Sequence, residues 1–126
     1  MEPGTGTGYI AYARCAAPDL ATDKLERQIQ AAHQLGDELG MTCVGEVRLA
    51  GVSAGPPAMR GDLRRILTRK REQDDFDVLI MDDFARLTRA GLNEGLQVEA
   101  EFASCGVRIM YVAEAGEVED KLRGQQ

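Results

Sequence analysis

Apolar positions along this chain fall into two rhythms. Residues 78–81 (Val-Leu-Ile-Met) are four apolar residues in succession. That run is too short for a helix and too continuous for a strand with one wet face, so it predicts a parallel strand covered on both sides. Residues 9–14 (Tyr-Ile-Ala-Tyr-Ala-Arg), 42–47 and 107–112 predict three more strands. Between them the period lengthens. Leu25, Ile29, Ala32, Leu35 and Leu39 recur at helical spacing, with Gly40 as the stop, and Asp23 with Glu26 reads as a capping box that starts this helix at Asp23. A second helix is predicted over residues 60–72, with Leu63, Ile66 and Leu67 inward and its arginines outward. A third is predicted over residues 92–104, with Leu96, Val98, Ala100 and Phe102 among its apolar positions. The order β-α-β-α-β-α-β predicts a three-layer α/β domain, a four-stranded, mainly parallel sheet with helices on both faces.

At 126 residues the chain is long enough for one domain with a single core and no covalent or metal staple. Residues 8–115 carry the periodic pattern; residues 1–7 form a Gly/Thr/Pro leader expected to be disordered, and residues 116–126 a polar tail. The net charge of −6 argues against indiscriminate coating of DNA. Cys15, Cys43 and Cys105 are odd in number, widely spaced and set in apolar surroundings. They predict reduced core thiols of a cytosolic protein, not a disulfide framework or a zinc site. His33, the one histidine, lies off the apolar stripe of its helix and reads as a solvated position. No His or Cys stands at ligand spacing from it, so no metal site and no cofactor are inferred. Neither a signal peptide nor an 18-residue apolar run is present, which predicts a cytoplasmic protein with no membrane partner.

Candidate chemistry gathers where strands end. Directly after residues 78–81 come Asp82 and Asp83, then Arg86 and Arg89. The carboxyl ends of the strands carry the binding crevice of an open α/β sheet, and two arginines three apart share one side of a helical turn. Arg14 ends the first strand, and Arg60 opens the second helix after a small-residue loop, residues 51–58, that contains Ser53. Four guanidinium groups at one rim repel one another, and a shared anion relieves that repulsion. A phosphodiester suits their forked donors. Two other readings stay open. Asp82 and Asp83 could hold Mg²⁺ for phosphoryl transfer, or the arginines could make only surface ion pairs on a non-catalytic protein-interaction module.

Tyr12-Ala13-Arg14, Leu25-Glu26-Arg27-Gln28, the Ser53 loop, Arg60-Gly61-Asp62-Leu63 and Arg86-Leu87-Thr88-Arg89 occur in this order. Together they resemble the catalytic domain of the serine recombinases, the resolvase/invertase group, over residues 9–114. The resemblance implies a sheet in the order 2-1-3-4 and a DNA-cleaving and rejoining chemistry in which a serine forms a covalent phosphoserine. It places the phosphate-stabilising cluster on Arg14, Arg60, Arg86 and Arg89, with Gln28 and Ser53 beside it. It also implies DNA as partner and association with a second copy or a related recombinase subunit.

The departures are as informative as the matches. The nucleophile position is Ala16, in Arg14-Cys15-Ala16-Ala17. The aspartate expected before the third-strand arginine is Ala85, and the acid expected before Ser53 falls on Leu49 or Ala50. A methyl group cannot attack phosphorus, so the chain as written is expected to bind phosphate weakly and not to cleave DNA. Cys15 carries a nucleophilic atom, but neighbouring strand residues face opposite ways, which sends Cys15 into the core if position 16 faces the site. Residues 116–126 are shorter than the long dimerisation helix that follows this domain in the family, and read as a polar tail or a truncated form of it.

Overall fold

The computed structural model describes residues 7–15, 21–51, 61–87 and 91–113. Four strands, β1 (Gly8–Cys15), β2 (Thr42–Ala50), β3 (Val78–Met81) and β4 (Arg108–Tyr111), form one sheet in the order β2-β1-β3-β4. Every pairing is parallel. The helices are α1 (Ala21–Glu38), α2 (Gly61–Gln73), the single turn α3 (Phe84–Leu87) and α4 (Leu92–Ser104).

Strand parity divides the core into two layers. Tyr9, Ala11, Ala13 and Cys15 pack with Leu25, Ile29, Ala32 and Leu35 of α1 on one face. Ile10 and Tyr12 pack with Leu63, Ile66 and Leu67 of α2 and with Val98 and Phe102 of α4 on the other. All four residues of β3 are buried, as expected of a strand with a helix layer on each side. Burying side chains of this size stabilises by roughly 1.5–3 kcal/mol each.

The turn from α2 into β3 is organised by a lysine. Lys70 is buried, and its Nζ donates to the Phe76 carbonyl at 2.8 Å, to Asp77 at 2.9 Å and to Asp74. Asp74 itself adopts a left-handed φ of 46°, a conformation that aspartate tolerates better than most residues.

Several local expectations need correction. The first helix begins at Ala21, so Asp23 lies in its first turn and is not its cap. Arg86 belongs to a separate one-turn helix, α3, ahead of the longer α4. Leu96 is 49% exposed and Leu92 66%, because α4 meets the sheet along Gly95, Val98 and Phe102, and Leu96 sits one position off that stripe. Only Cys15 of the three cysteines is buried; Cys43 is exposed on β2, an edge strand, and Cys105 is half-buried after α4.

Candidate functional site

At the carboxyl end of β1 the chain runs past its neighbour. The ladder between β1 and β3 ends at Ala11 and Ile80, so Arg14 has no β3 residue beside it. Its backbone nevertheless points that way. Gly8, an even-numbered residue, accepts from Asp77 just before β3, whereas the odd-numbered Thr7 and Cys15 accept from Thr42 and Gly51 on the β2 side. The side-chain amide of Gln28, from α1, takes the place of the missing strand. Gln28 Oε1 accepts from the Arg14 amide at 3.0 Å, and Gln28 Nε2 donates to the Arg14 carbonyl at 3.1 Å. Gln28 is itself buried. A primary amide offers one donor and one acceptor in the spacing of a peptide group, which a shorter or charged side chain does not.

The Arg14 side chain leaves β1 on the α2/α4 face, following the parity of Ile10 and Tyr12. It is 1% exposed, so its guanidinium is a buried group and not the open rim charge that strand-end position implied. Arg14 Nε donates to the Arg86 carbonyl at 3.2 Å, which fastens α3 to the end of β1. Leu87, fully buried, anchors the same turn from below. Arg86 Nε stands 3.8 Å from Asp83 Oδ1, a charge contact beyond hydrogen-bonding range. Asp82 and Asp83 are half-buried at the end of β3, and the Asp82 carbonyl accepts from Ala113 after β4.

Sequence reasoning gave no role to a further contact here. Tyr12, fully buried on the Arg14 face, donates from its hydroxyl to Asp62 Oδ2 at 2.7 Å. Asp62 is the second residue of α2, so this bond fixes where that helix begins. Both residues stood inside the motifs that carry the family resemblance, and that placement was the available signal.

The structure therefore brings Arg14, Gln28 and Arg86 together. Ala16, Ser53, Arg60 and Arg89 lie outside the described residues. Cys15 packs against α1, on the face opposite the Arg14 side chain, as strand alternation requires.

A second polar cluster occupies the α1 face near β2. His33 is 30% exposed and tethered, not solvated: its Nδ1 lies 2.6 Å from the Tyr9 hydroxyl and its Nε2 contacts Glu46. Burial, reinforced by the negative surroundings of Cys43, Asp37 and Glu46, pushes the Tyr9 phenol up to about 12. The hydrogen bond with His33, followed by that with Arg48, holds the Glu46 carboxyl below its usual range. Arg48 also grips Glu26 of α1, with its Nε at 2.6 Å from Oε1. Ligand spacing along the sequence missed this group because the partners of His33 come from a different element.

An all-parallel β2-β1-β3-β4 sheet between one helix layer and another, with an arginine clamped at the end of its first strand, is the resolvase-like class of α/β catalytic domain. The chain belongs to the family described as "Resolvase, N terminal domain", whose model matches residues 9–125. Among solved structures it is similar to the C-terminal catalytic domain of ISC1926 TnpA, an IS607-like serine recombinase. The two are 28% identical with a TM-score of 0.69, over 83% of this chain and 70% of that one. The C-terminal catalytic domain of IS1535 TnpA, also an IS607-like serine recombinase, is 26% identical with a TM-score of 0.61, over 85% and 70%. The N-terminal catalytic domain of TP901-1 integrase shares the fold, with a TM-score of 0.73 at 17% identity over 86% and 79%. No curated protein matches the sequence. Among the described residues, no helix is long and apolar enough to cross a membrane.

Proposed function

We propose that this serine-recombinase catalytic domain holds a DNA phosphate in an arginine cluster centred on Arg14 and leaves the strand uncut. The clamp at the end of β1 carries this reading. Gln28 fixes the Arg14 backbone and the Arg86 carbonyl fixes its Nε, so the guanidinium is oriented before any ligand arrives. Donors preorganised in a buried setting stabilise a phosphate better than mobile surface arginines do. Arg86 contributes from α3, and the family resemblance assigns Arg60, Arg89 and Ser53 to the same phosphate. Gln28 is a positioning residue, because it grips the Arg14 backbone and not the ligand.

Inactivity follows from Ala16, whose side chain offers no oxygen to phosphorus, while the Cys15 thiol is buried on the wrong face of the strand. The partners under this reading are DNA and a second recombinase-type subunit, in the cytoplasm. The Mg²⁺ reading of Asp82 and Asp83 gains no third ligand, since among the described residues the one three-ligand group lies elsewhere.

Two assays on one preparation test the proposal. Fluorescence anisotropy on a short duplex should show weak binding whose logarithm falls with log salt at a slope of about −1 to −2, as for one or two neutralised phosphates. Arg86→Ala should weaken it. A nicked duplex run on a denaturing gel should give no covalent adduct. Binding indifferent to salt and to Arg86→Ala would overturn the cluster; an adduct would overturn the inactivity.

A further inference from the structure

The group formed by His33, Cys43 and Glu46 lies at the opposite end of β1 from Arg14 and on the other face of the sheet. We infer that these three side chains bind a thiophilic divalent transition ion, Zn²⁺ by the character of its donors, clipping α1 to the edge strand β2. The inference is independent of the phosphate-binding proposal.

A break in strand alternation creates the site. Cys43 and Glu46 are three apart on β2, and in a regular strand such residues face opposite ways. The register with β1 shifts between them: Tyr9 pairs with Cys43, Ile10 with Gly45 and Ala11 with Glu46, so Val44 is an extra residue. This β-bulge resets the parity, and both Cys43 and Glu46 join the face on which Tyr9 and Ala11 meet α1. Bulges commonly re-aim side chains in this way. The bulge is held from behind. Arg69 of α2 donates to the Val44 carbonyl at 2.8 Å and is itself fixed by Asp75 at 2.7 Å. A Cβ on Gly45 would stand 2.7 Å from Arg69 Nη1, so the neighbouring glycine makes room for that brace.

A ring nitrogen of His33, Cys43 Sγ and a Glu46 carboxylate oxygen lie within 4.8 Å of one another, and Nε2 is the nitrogen in contact with Glu46. Tetrahedral zinc requires nitrogen, sulfur and oxygen ligands roughly 3.3–3.6 Å apart. His33 and Glu46, now in direct contact, must therefore part to admit the ion while the group as a whole stays within 4.8 Å, a rearrangement within reach of partly exposed side chains. An imidazole, a thiolate and a carboxylate suit zinc or cobalt and not magnesium or calcium, which prefer all-oxygen shells. The ion takes the place of the proton between His33 Nε2 and Glu46, and water completes the fourth position.

Outer-shell support is already in place for two of the three ligands. Tyr9 lies 2.6 Å from His33 Nδ1 and, as acceptor of the Nδ1 proton, leaves the Nε2 lone pair for the ion on the side of Glu46. Arg48 Nη1 donates to Glu46 Oε1 at 2.8 Å, leaving Oε2 for the ion. Hydrogen-bonded partners of this kind orient metal ligands and are worth about 10–100-fold in affinity.

Titration of the reduced full chain with Co²⁺ tests the site. A thiolate–cobalt charge-transfer band should grow in the near ultraviolet to one equivalent, with intense visible bands of tetrahedral cobalt, and Zn²⁺ should displace both. Cys43→Ser should abolish the charge-transfer band, whereas Cys105→Ser should keep it. His33→Gln should weaken Co²⁺ by about 100-fold or more, and Tyr9→Phe by about 10–100-fold. Far-ultraviolet circular dichroism of each variant separates loss of a ligand from loss of the fold. No band in the wild-type chain, or a band removed by Cys105→Ser and not by Cys43→Ser, would overturn the inference.

Discussion

Replacing Gln28 by Met tests whether one buried amide acts as the strand that β1 lacks. Met keeps the length and flexibility of Gln and removes both hydrogen bonds to Arg14, at 3.0 and 3.1 Å. The Arg14 amide and carbonyl then lose these partners in a setting that is 1% exposed to solvent. Leaving a buried polar group unsatisfied costs roughly 1–3 kcal/mol, so two such groups imply a loss of about 3 kcal/mol, with the apolar Met recovering a little. Against a typical domain stability of about 5–15 kcal/mol this is a large fraction. Urea unfolding followed by circular dichroism measures it as a shifted midpoint at unchanged slope. Gln30→Met, on the exposed side of the same helix, serves as control and should stay within about 0.5 kcal/mol of the parent. Gln28→Glu adds a signature that packing alone does not produce. Its ionised carboxylate faces the Arg14 carbonyl, so burial and repulsion raise the folded-state pKa above the unfolded value of about 4.3. Stability should therefore be recovered as pH falls through the raised value, where the protonated carboxyl donates and accepts as the amide does. A loss below about 1 kcal/mol for Gln28→Met, or equal losses for Gln28→Met and Gln30→Met, would refute the reasoning.

Tyr12→Phe should cost about 1 kcal/mol, since it removes the 2.7 Å bond to Asp62 while half-buried Asp62 can still reach water; a shifted urea midpoint with retained helix content is the expected readout. Gly8→Ala should destabilise by about 3 kcal/mol, at the upper end of overpacking costs, because its Cβ would lie 2.3 Å from the Asp75 carbonyl oxygen, a backbone atom; differential scanning calorimetry reads this as a lowered Tm. The Arg69 hydrogen bond holds the Asp75 carboxyl below its usual range, so the stability it contributes is present above the unfolded pKa of about 3.9 and is lost as pH falls through the lowered value. Asp75→Asn should accordingly flatten the acid limb of a stability–pH curve, and an unchanged limb would contradict that sign.

The sheet was legible because burial on both faces leaves an unmistakable trace: Val78 to Met81 are apolar without interruption and all are buried. Strand alternation was legible too: it put Cys15 in the core, and Cys15 is buried, packed with the α1 layer. What local pattern does not carry is the identity of a side chain's partner in a distant element. Arg14 reads as a rim charge until it proves buried, with its Nε held by the Arg86 carbonyl of α3. His33 reads as solvated until β2 supplies Glu46. Leu96 reads as core because a helical stripe one position wide cannot be told from a wider one by composition. The bulge at Val44 was invisible for a related reason. Thr42, Cys43, Val44 and Gly45 fit a regular strand equally well, and only the pairing with β1 reveals the extra residue.

β1 carries two polar clusters without compromising the core between them, and alternation explains how. Tyr12 and Arg14 project toward α2 and α4, where their polar atoms meet Asp62 and the Arg86 carbonyl. Tyr9, the second residue of the same strand, projects toward α1 and meets His33. Between these positions the strand is filled by Ile10, Ala11 and Ala13, all buried. Small residues on the α1 face let that helix approach closely enough for Gln28 to reach the strand backbone and for His33 to reach Tyr9. A larger residue at Ala11 or Ala13 would lift α1 from the sheet, loosening the Gln28 clamp and the His33 contact together. The two alanines thus couple helix position to both sites, although neither has any chemistry of its own.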